Sequence, residues 1–453
     1  MKILLIHNFY GSSAPSGEDL VFKNEVELLK KQGIEVVTYE RYNDEIKDYG
    51  LWDKFLLSFE NIWSRRTYRE LKTLLKKEKP DIAHFHNIWY LISPSAYYAC
   101  KAAGIPVVQT LHNFRYFCVN GLLMRDGNIC EECISSKKGD RSWVMGDGNK
   151  DYGVRGRLKI RRARILKNAI RYGCYRESRA YSLPIAFMQY FHGIAGTWSD
   201  KVDAYISLTE FGKKKFIECG LPSERIFVKP NFLPDPPDPN YSHNGYGIFL
   251  GRISAEKGLS VLISAFQHLS TISYDPSAIS HQPFKIKIVG DGPLRENLEK
   301  TTSDRKMNEI EFLGKKNFHE CMELLQKSRF LVLPALCYEN FPLVIREAYA
   351  CGKPVIASRL GAMAELVEDG KTGLLFEPGN PEDLADKMHW MIEHETECIE
   401  MGKNARKEFE KKYTAEKNYD ILMKIYNQVL GTRGSKQLET GTGKGKGKDK
   451  TAQ

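Results

Sequence analysis

Two glutamates, Glu339 and Glu347, stand eight positions apart in the stretch CYENFPLVIREAYACGKPVIAS. Pro342 lies between them, and proline is accommodated in the first turn of a helix because its missing N–H has no intrahelical partner there. LVIREAYACG then reads as a helix stopped by Gly352, which leaves Glu339 in the loop before it and Glu347 one to two turns inside. The backbone N–H groups of Phe341, Leu343 and Val344 become orphan donors at a positive dipole end, a setting that suits a phosphate. The plain alternative makes Glu339 a cap and Glu347 a solvated surface charge. That alternative loses ground to a second phosphate-ready turn in the same half of the chain, where GIFLGRISAEKGLS runs a strand into Gly251 with Arg252 and Lys257 on the following loop. Glycine permits close approach, the Arg252 fork can grip a phosphate and Lys257 adds a point charge. Together the two turns describe a cradle for a diphosphate.

A second constellation is built of sulfur. CVNGLLMRDGNICEECISS places Cys118 ahead of Cys130-x2-Cys133, and RYGCYRES adds Cys174. Four thiolates form the ligand set of a tetrahedral structural zinc, with free buried thiols as the alternative reading. The ten cysteines otherwise lie at unrelated spacings, which suits a reducing compartment better than a disulfide framework. His84 and His86, at the end of IAHFHN, either line a cleft or serve as hydrogen-bonded packing.

These groups have to be held by regular elements. A chain of 453 residues, 42% hydrophobic and 11% aromatic, is long enough for two to three domains with real cores. Its first half beats out strands KILLIHN, EVVTYE, IAHFHN, PVVQTLHN and AYISLT with amphipathic helices between them, such as DLVFKNEVELLKKQG. The second half restarts with YGIFLGR, FKIKIVGDG, IEFLG, RFLVLP, KPVIAS and TGLLFE. This alternation predicts parallel sheets covered on both faces by helices, that is, two doubly wound Rossmann-like α/β domains whose strand ends face a cleft. Between the halves, KPNFLPDPPDPNYSHNGYG carries five prolines and marks the boundary. The expected division is 1–235, 245–410, a C-terminal helix over 411–430 and a disordered basic tail over 431–453. The tail holds six Lys/Arg against two acids and a single leucine, too little apolar surface to fold. No stretch approaches the roughly 20 apolar residues of a membrane span, so the expected location is cytoplasmic, with peripheral attachment to the inner face of a membrane as a further expectation.

GRISAEKG, IVGDGPLRENLE, IEFLGKK and above all Glu339-x7-Glu347 followed by ACGKPVIASRLGAMAELVEDGKTGLLFEPGNPEDLA resemble the carboxyl-terminal half of retaining glycosyltransferases of family 4, which have the GT-B fold. The N-terminal half is similar in SGEDLVFKNEVELLKKQG, PDIAHFHN, PVVQTLHNF and YISLTEFGKKKF. The resemblance implies a nucleotide-diphosphate sugar donor and a glycan or lipid-linked acceptor, in polysaccharide or lipopolysaccharide biosynthesis. It implies that Arg252 and Lys257 bind the donor diphosphate, that Glu347 binds the ribose and that Glu339 lies by the donor sugar. It further implies that Phe341 to Val344 support the phosphates, that the loop at Gly17 approaches them and that His112 sits by the reacting sugar. Many relatives carry two adjacent glycines in that first loop, whereas this chain has Ser16 before Gly17. No Asp-x-Asp motif for a diphosphate-bound metal is present, and no catalytic metal is expected.

Other classes fit less of the chain. A dinucleotide oxidoreductase needs Gly-x-Gly-x-x-Gly after the first strand, where this chain has HNFYGSSAPSG. A glycoside hydrolase would leave Arg252 and Lys257 idle. A noncatalytic basic module binding a polyanion would rest on residues 154–179, which hold ten Lys/Arg against one Glu, and on the tail, and nucleic acid is not expected as a partner. A GT-B sugar-nucleotide epimerase or phosphorylase is the nearer alternative, because fold alone does not fix chemistry. In that basic segment Leu158, Ile165, Leu166, Ala169 and Ile170 fall on one helical stripe, flanked by Arg161, Arg162 and Arg164. Such a helix either lies on an anionic bilayer or packs its stripe into the core.

Overall fold

Apolar runs such as ILLI and VVQTL are buried along their whole length, as strands covered on both faces must be. The computed structural model describes residues 1–11, 16–134, 154–272 and 284–441. The first half forms β1 (Lys2–Phe9), β2 (Glu35–Tyr42), β3 (Ile82–Phe85), β4 (Val107–Leu111), β5 (Met124–Arg125), β6 (Asn128–Ile129), β7 (Ala204–Ser207) and β8 (Ile226–Val228). Six of these make a parallel sheet in the order β2-β1-β3-β4-β7-β8, and β5 and β6 form a separate antiparallel hairpin. The second half forms β9 (Tyr246–Leu250), β10 (Lys285–Val289), β11 (Ile310–Gly314), β12 (Phe330–Leu333), β13 (Val355–Ser358) and β14 (Gly373–Phe376). They pair in parallel in the order β11-β10-β9-β12-β13-β14, so the sheet order reverses between β9 and β12. A crevice opens at such a switch point, outside the carboxyl ends of the strands.

Helices cover these sheets. The first half carries α1 (Gly17–Lys31), α2 (Leu51–Glu60), α3 (Arg65–Glu78), α4 (Ser95–Ala102), α5 (Val154–Tyr172), α6 (Arg179–Ile194), α7 (Thr197–Asp200) and α8 (Glu210–Glu218). The second carries α9 (Leu259–Ile272), α10 (Arg295–Asp304), α11 (Phe318–Gln326), α12 (Leu343–Ala350), α13 (Gly361–Leu366), α14 (Pro381–Glu393), α15 (Glu395–Lys412) and α16 (Ala415–Gly441). Every strand named from the sequence is present, within three residues at either end. Sequence reading missed β8 and the β5–β6 hairpin, elements of two or three residues that carry no periodic signal.

The final helix departs from expectation. It begins at Ala415 and runs to Gly441, into the stretch expected to be disordered; residues 442–453 lie outside the described residues. Its Leu422, Ile425, Tyr426 and Val429 are buried with Ile3, Leu5, Ile82 and Ile206, so a helix from the chain end completes the core of the first sheet. The stripe on α5 also has a partner. Ile165 and Ala169 are buried with Val119, Ile185 and Ala186, and Leu166 packs against the same cluster. The side chains of Leu158, Arg161 and Arg162 are outside the described residues. No helix among the described residues is long and apolar enough to cross a membrane.

Candidate active site

Ser16 fixes where the first helix starts. Its hydroxyl accepts from Asp19 N at 3.3 Å while Asp19 accepts from Ser16 N at 2.7 Å, a reciprocal capping box that takes the place of a second glycine. Gly17 is thereby set at the N-terminus of α1, directly across the cleft from the N-terminus of α12. A Cβ on Gly17 would stand 3.0 Å from Leu343 Cδ1, so the two helix ends approach closely and a larger residue would require the Leu343 side chain to shift. Pro342 is the N-cap of α12, as its missing N–H allows, and the helix ends at Cys351 ahead of Gly352, whose φ is 71°.

These two ends open into a cavity of about 440 Å³ between the sheets. The structure brings Gly17, His112, Lys257, Glu339, Phe341, Leu343 and Val344 into its lining, seven of the nine candidates from sequence outside the cysteine set. Arg252 and Glu347 stand outside that lining. Arg252 is exposed on the loop after β9, and Glu347 is half-buried on α12 with Oε1 accepting from Arg346 Nη2 at 3.1 Å. Lys257 and Glu339, from the loops after β9 and β12 at the switch point, form an ion pair in the cavity wall. Burial works against the Lys257 charge, yet Glu339 holds its pKa above that of an ordinary lysine.

His112 is the visible end of a buried relay. His86 donates from Nε2 to Glu25 Oε1 at 3.1 Å, which leaves its Nδ1 to accept from His112 Nε2 at 3.0 Å. This hydrogen-bond chain assigns the tautomers and leaves His112 Nδ1 as the nitrogen with a free lone pair. Burial, with a contribution from His86, holds His112 well below the usual histidine range, and burial pushes His86 down to about 3. Glu25 opposes its own burial through Lys229, whose Nζ lies 2.8 Å from Oε2, and its pKa stays well below that of a free carboxyl. His84 is buried between Tyr426 and Thr110, both at 2.7 Å. Its Nδ1 also lies 3.0 Å from Glu25 Oε1, and His86 meets the cavity only through its bond to His112; neither lines the cavity.

Other cavity residues escaped the sequence. Glu18 accepts from Asn113 Nδ2 at 2.6 Å, and burial pushes its carboxyl up to about 7. An acidic pair at a helix start reads as a complement to the dipole, so Glu18 gave no other signal. Asn340 donates from Nδ2 to Leu111 O at 2.6 Å, and its own carbonyl accepts from Thr209 at 3.2 Å, which ties the loop after β12 to the strand end that carries His112. Glu365 accepts from the backbone N–H groups of Glu210 and Phe211 at 2.9 and 2.5 Å, adding a second tie between the halves.

Two six-stranded parallel sheets meeting across such a cleft have the GT-B fold. The chain belongs to the group 1, family 4 class: the model described as glycosyl transferases group 1 matches residues 239–408, and that described as glycosyltransferase family 4 matches residues 20–136. An uncharacterized glycosyltransferase of Methanocaldococcus jannaschii is 28% identical over 433 residues, covering 95% of this chain and 99% of that one. Among solved structures, Anabaena HepE in complex with UDP-glucose aligns with a TM-score of 0.55 at 18% identity, over 96% of this chain and 100% of that one. The lipopolysaccharide outer core galactosyltransferase WaaB aligns with a TM-score of 0.58 at 14% identity, over 96% and 100%.

Proposed function

We propose that this glycosyltransferase moves a sugar, with retention at the anomeric carbon, from a nucleotide-diphosphate donor to a hydroxyl of a glycan or lipid-linked acceptor, in assembly of a cell-surface polysaccharide or lipopolysaccharide. One observation carries the reading: the N-termini of α1 and α12 converge with Lys257 on a cavity that His112 and Glu18 also line. Cleaving the anomeric C–O bond sends its electron pair to a diphosphate oxygen and leaves positive charge on the sugar ring. Helix-end N–H groups and the Lys257 ammonium stabilise the developing oxyanion, the usual task of a preorganised charge site. The donor diphosphate would share Lys257 with Glu339, which then faces the sugar. On this reading Arg252 grips the diphosphate from outside the lining, and Glu347 accepts from the ribose hydroxyls.

The acceptor hydroxyl attacks on the face the phosphate leaves, and its proton passes to the departing phosphate oxygen. Neutral His112 presents Nδ1 as an acceptor for a sugar hydroxyl and does not add charge beside the positive ring. The cations and helix ends perform the electrostatic work without a divalent ion. The test is proton NMR of the product formed in EDTA: an α-configured donor should give an α-linked product at undiminished rate. A β-linked product would overturn retention, and activity that returns only with Mg²⁺ or Mn²⁺ would overturn metal independence. An epimerase or phosphorylase would instead yield free epimer or sugar phosphate without acceptor.

A lipid-linked acceptor is favoured by one surface. α6 exposes Tyr181, Leu183, Phe187, Phe191 and Ile194, and α2, which it touches, exposes Trp52, Phe55, Leu56 and Phe59. Arg65, Arg176 and Arg179 are exposed beside these helices, so the face combines apolar area with a cationic rim, the complement of an anionic bilayer. Flotation with anionic but not neutral vesicles, lost in high salt and in Phe187→Ser/Phe191→Ser, is the expected result. Concentration-dependent dimerisation through the same face without vesicle binding would replace the bilayer by a second copy.

A further inference from the structure

The four cysteines singled out by sequence have no part in that chemistry, yet the fold gathers them. Cys118 lies in the loop after β4, Cys130 directly follows β6, Cys133 sits in the next turn, and Cys174 lies between α5 and α6. Cys133 packs in the same cluster as Cys118 on one side and as Cys174 on the other. Asn168 connects the last two directly, with Nδ2 3.8 Å from Cys133 Sγ and its carbonyl 4.0 Å from Cys174 Sγ. Cys118, Cys130 and Cys174 all lie close enough to act electrostatically on Cys133. None of the four is in a disulfide, and all are half-buried, whereas Cys100, Cys219, Cys337, Cys351 and Cys398 are buried core thiols.

The backbone between them is shaped as a knuckle. β5 and β6 are joined by Asp126 and Gly127 at φ 51° and 76°, a tight two-residue turn, and Cys130 N donates to Leu123 O at 2.7 Å. The following turn, closed by Ile134 N to Glu131 O at 2.9 Å, carries Cys133 back past Cys130. A two-residue spacer of this kind lets two sulfurs approach one ion at about 2.3 Å. The segment 118–134 holds only this four-residue hairpin as regular structure and packs against α5 and α6 through Val119. Arg125 stacks over Tyr172 at 3.8 Å and pairs with Glu132 at 2.9 Å, which ties the hairpin to the end of α5.

We propose that Cys118, Cys130, Cys133 and Cys174 bind one zinc ion as a structural tetrathiolate that clasps the cavity-lining loop 112–122 to the α5–α6 turn. The rival metal group is Glu25, His84 and His86, the one trio among the described residues with ligand atoms within 4.8 Å of one another. Lys229 already neutralises Glu25 there at 2.8 Å, and a dication beside that ammonium would be repelled. The cysteine sulfurs stand wider than that trio, so the four would have to close in for one ion to be held.

Elemental analysis of full-length protein purified without chelator or added metal is expected to find about one zinc per chain. Titration with a mercurial should release it as four equivalents of the reagent bind the four thiolates. Cobalt replacement should give the sulfur-to-metal charge-transfer and intense visible bands of a tetrahedral tetrathiolate. Cys133→Ser and Cys174→Ser should each lose zinc, and Cys321→Ser should retain it. A strong chelator should lower the thermal midpoint of the wild type. Wild-type protein that takes up no zinc when it is supplied, cobalt spectra without thiolate bands, a Cys130–Cys133 disulfide in protein kept under reductant, or zinc retained in both serine variants would overturn the site.

Discussion

Glu339 and Lys257 show how a pair separated by 82 positions becomes one object. Each could be read from its own strand-turn-helix signal, but their ion pair could not, because it depends on the order in which β9 and β12 lie in the sheet. Replacing Lys257 by Met, which keeps most of the bulk, should weaken donor binding and lower turnover by about 100- to 1000-fold, the scale of losing one preorganised charge donor. Steady-state kinetics with calorimetric donor titration checks this. Glu18 was invisible in the chain because its pKa near 7 comes from burial under a neighbouring loop. Its carboxyl ionises as pH rises through about 7, so kcat should show a limb there that Glu18→Gln abolishes while donor affinity is kept; a limb that persists in the variant would assign it elsewhere. His112 and Gly17 came from resemblance. What the structure adds is the lone pair of His112 and the close packing of Gly17 against the Leu343 methyl.

At the scale of elements, strands were legible because buried parallel strands are unbroken apolar runs bounded by turn residues. β8, with three residues, and the β5–β6 hairpin fall below that signal. The start of α12 after Pro342 was legible in position, whereas α1 begins at Gly17, two residues before the helix read from DLVFKNEVELLKKQG, because the Ser16 capping box draws Gly17 and Glu18 into its first turn. Gly258 ties the elements of the site together. It has φ 69°, and a Cβ there would meet Pro334 O at 1.9 Å, so the loop carrying Lys257 lies flat against the end of β12. Gly258→Ala should lower the thermal midpoint by several degrees, since left-handed backbone alone costs about 1–2 kcal/mol for a residue with a Cβ and the clash adds to it. Donor affinity should fall with it, because Lys257 moves; a variant with unchanged midpoint and affinity would show that the loop contact is not needed.

Across the whole molecule, the least legible feature was where the chain returns. Nothing in NYDILMKIYNQVL says that it packs under β1 and β3, because its partners lie some 400 residues earlier in the sequence, about the whole length of the chain. Truncation before Ala415 should leave Ile3, Leu5 and Ile82 uncovered and give aggregated protein, read by size-exclusion chromatography; a monodisperse folded truncation would contradict that role. The same core buries His86, held neutral with its pKa near 3. The unfolded chain takes up that proton below pH 6.5, so stability is full above that value and falls as pH drops from 6.5 toward 3. The thermal midpoint should decline over that window, and His86→Gln should flatten the decline.

The central claim is that the cleft between the two sheets holds a nucleotide-diphosphate sugar by helix ends and Lys257. Thermal-shift titration of the full chain with UDP-, GDP- and ADP-sugars in EDTA tests it most directly, because a ligand bound only to the folded state must raise the midpoint. Saturable stabilisation by one of these donors, largely lost in Lys257→Met, is the expected result. Stabilisation by none of the three nucleotide classes, or an equal response in Lys257→Met, would contradict it.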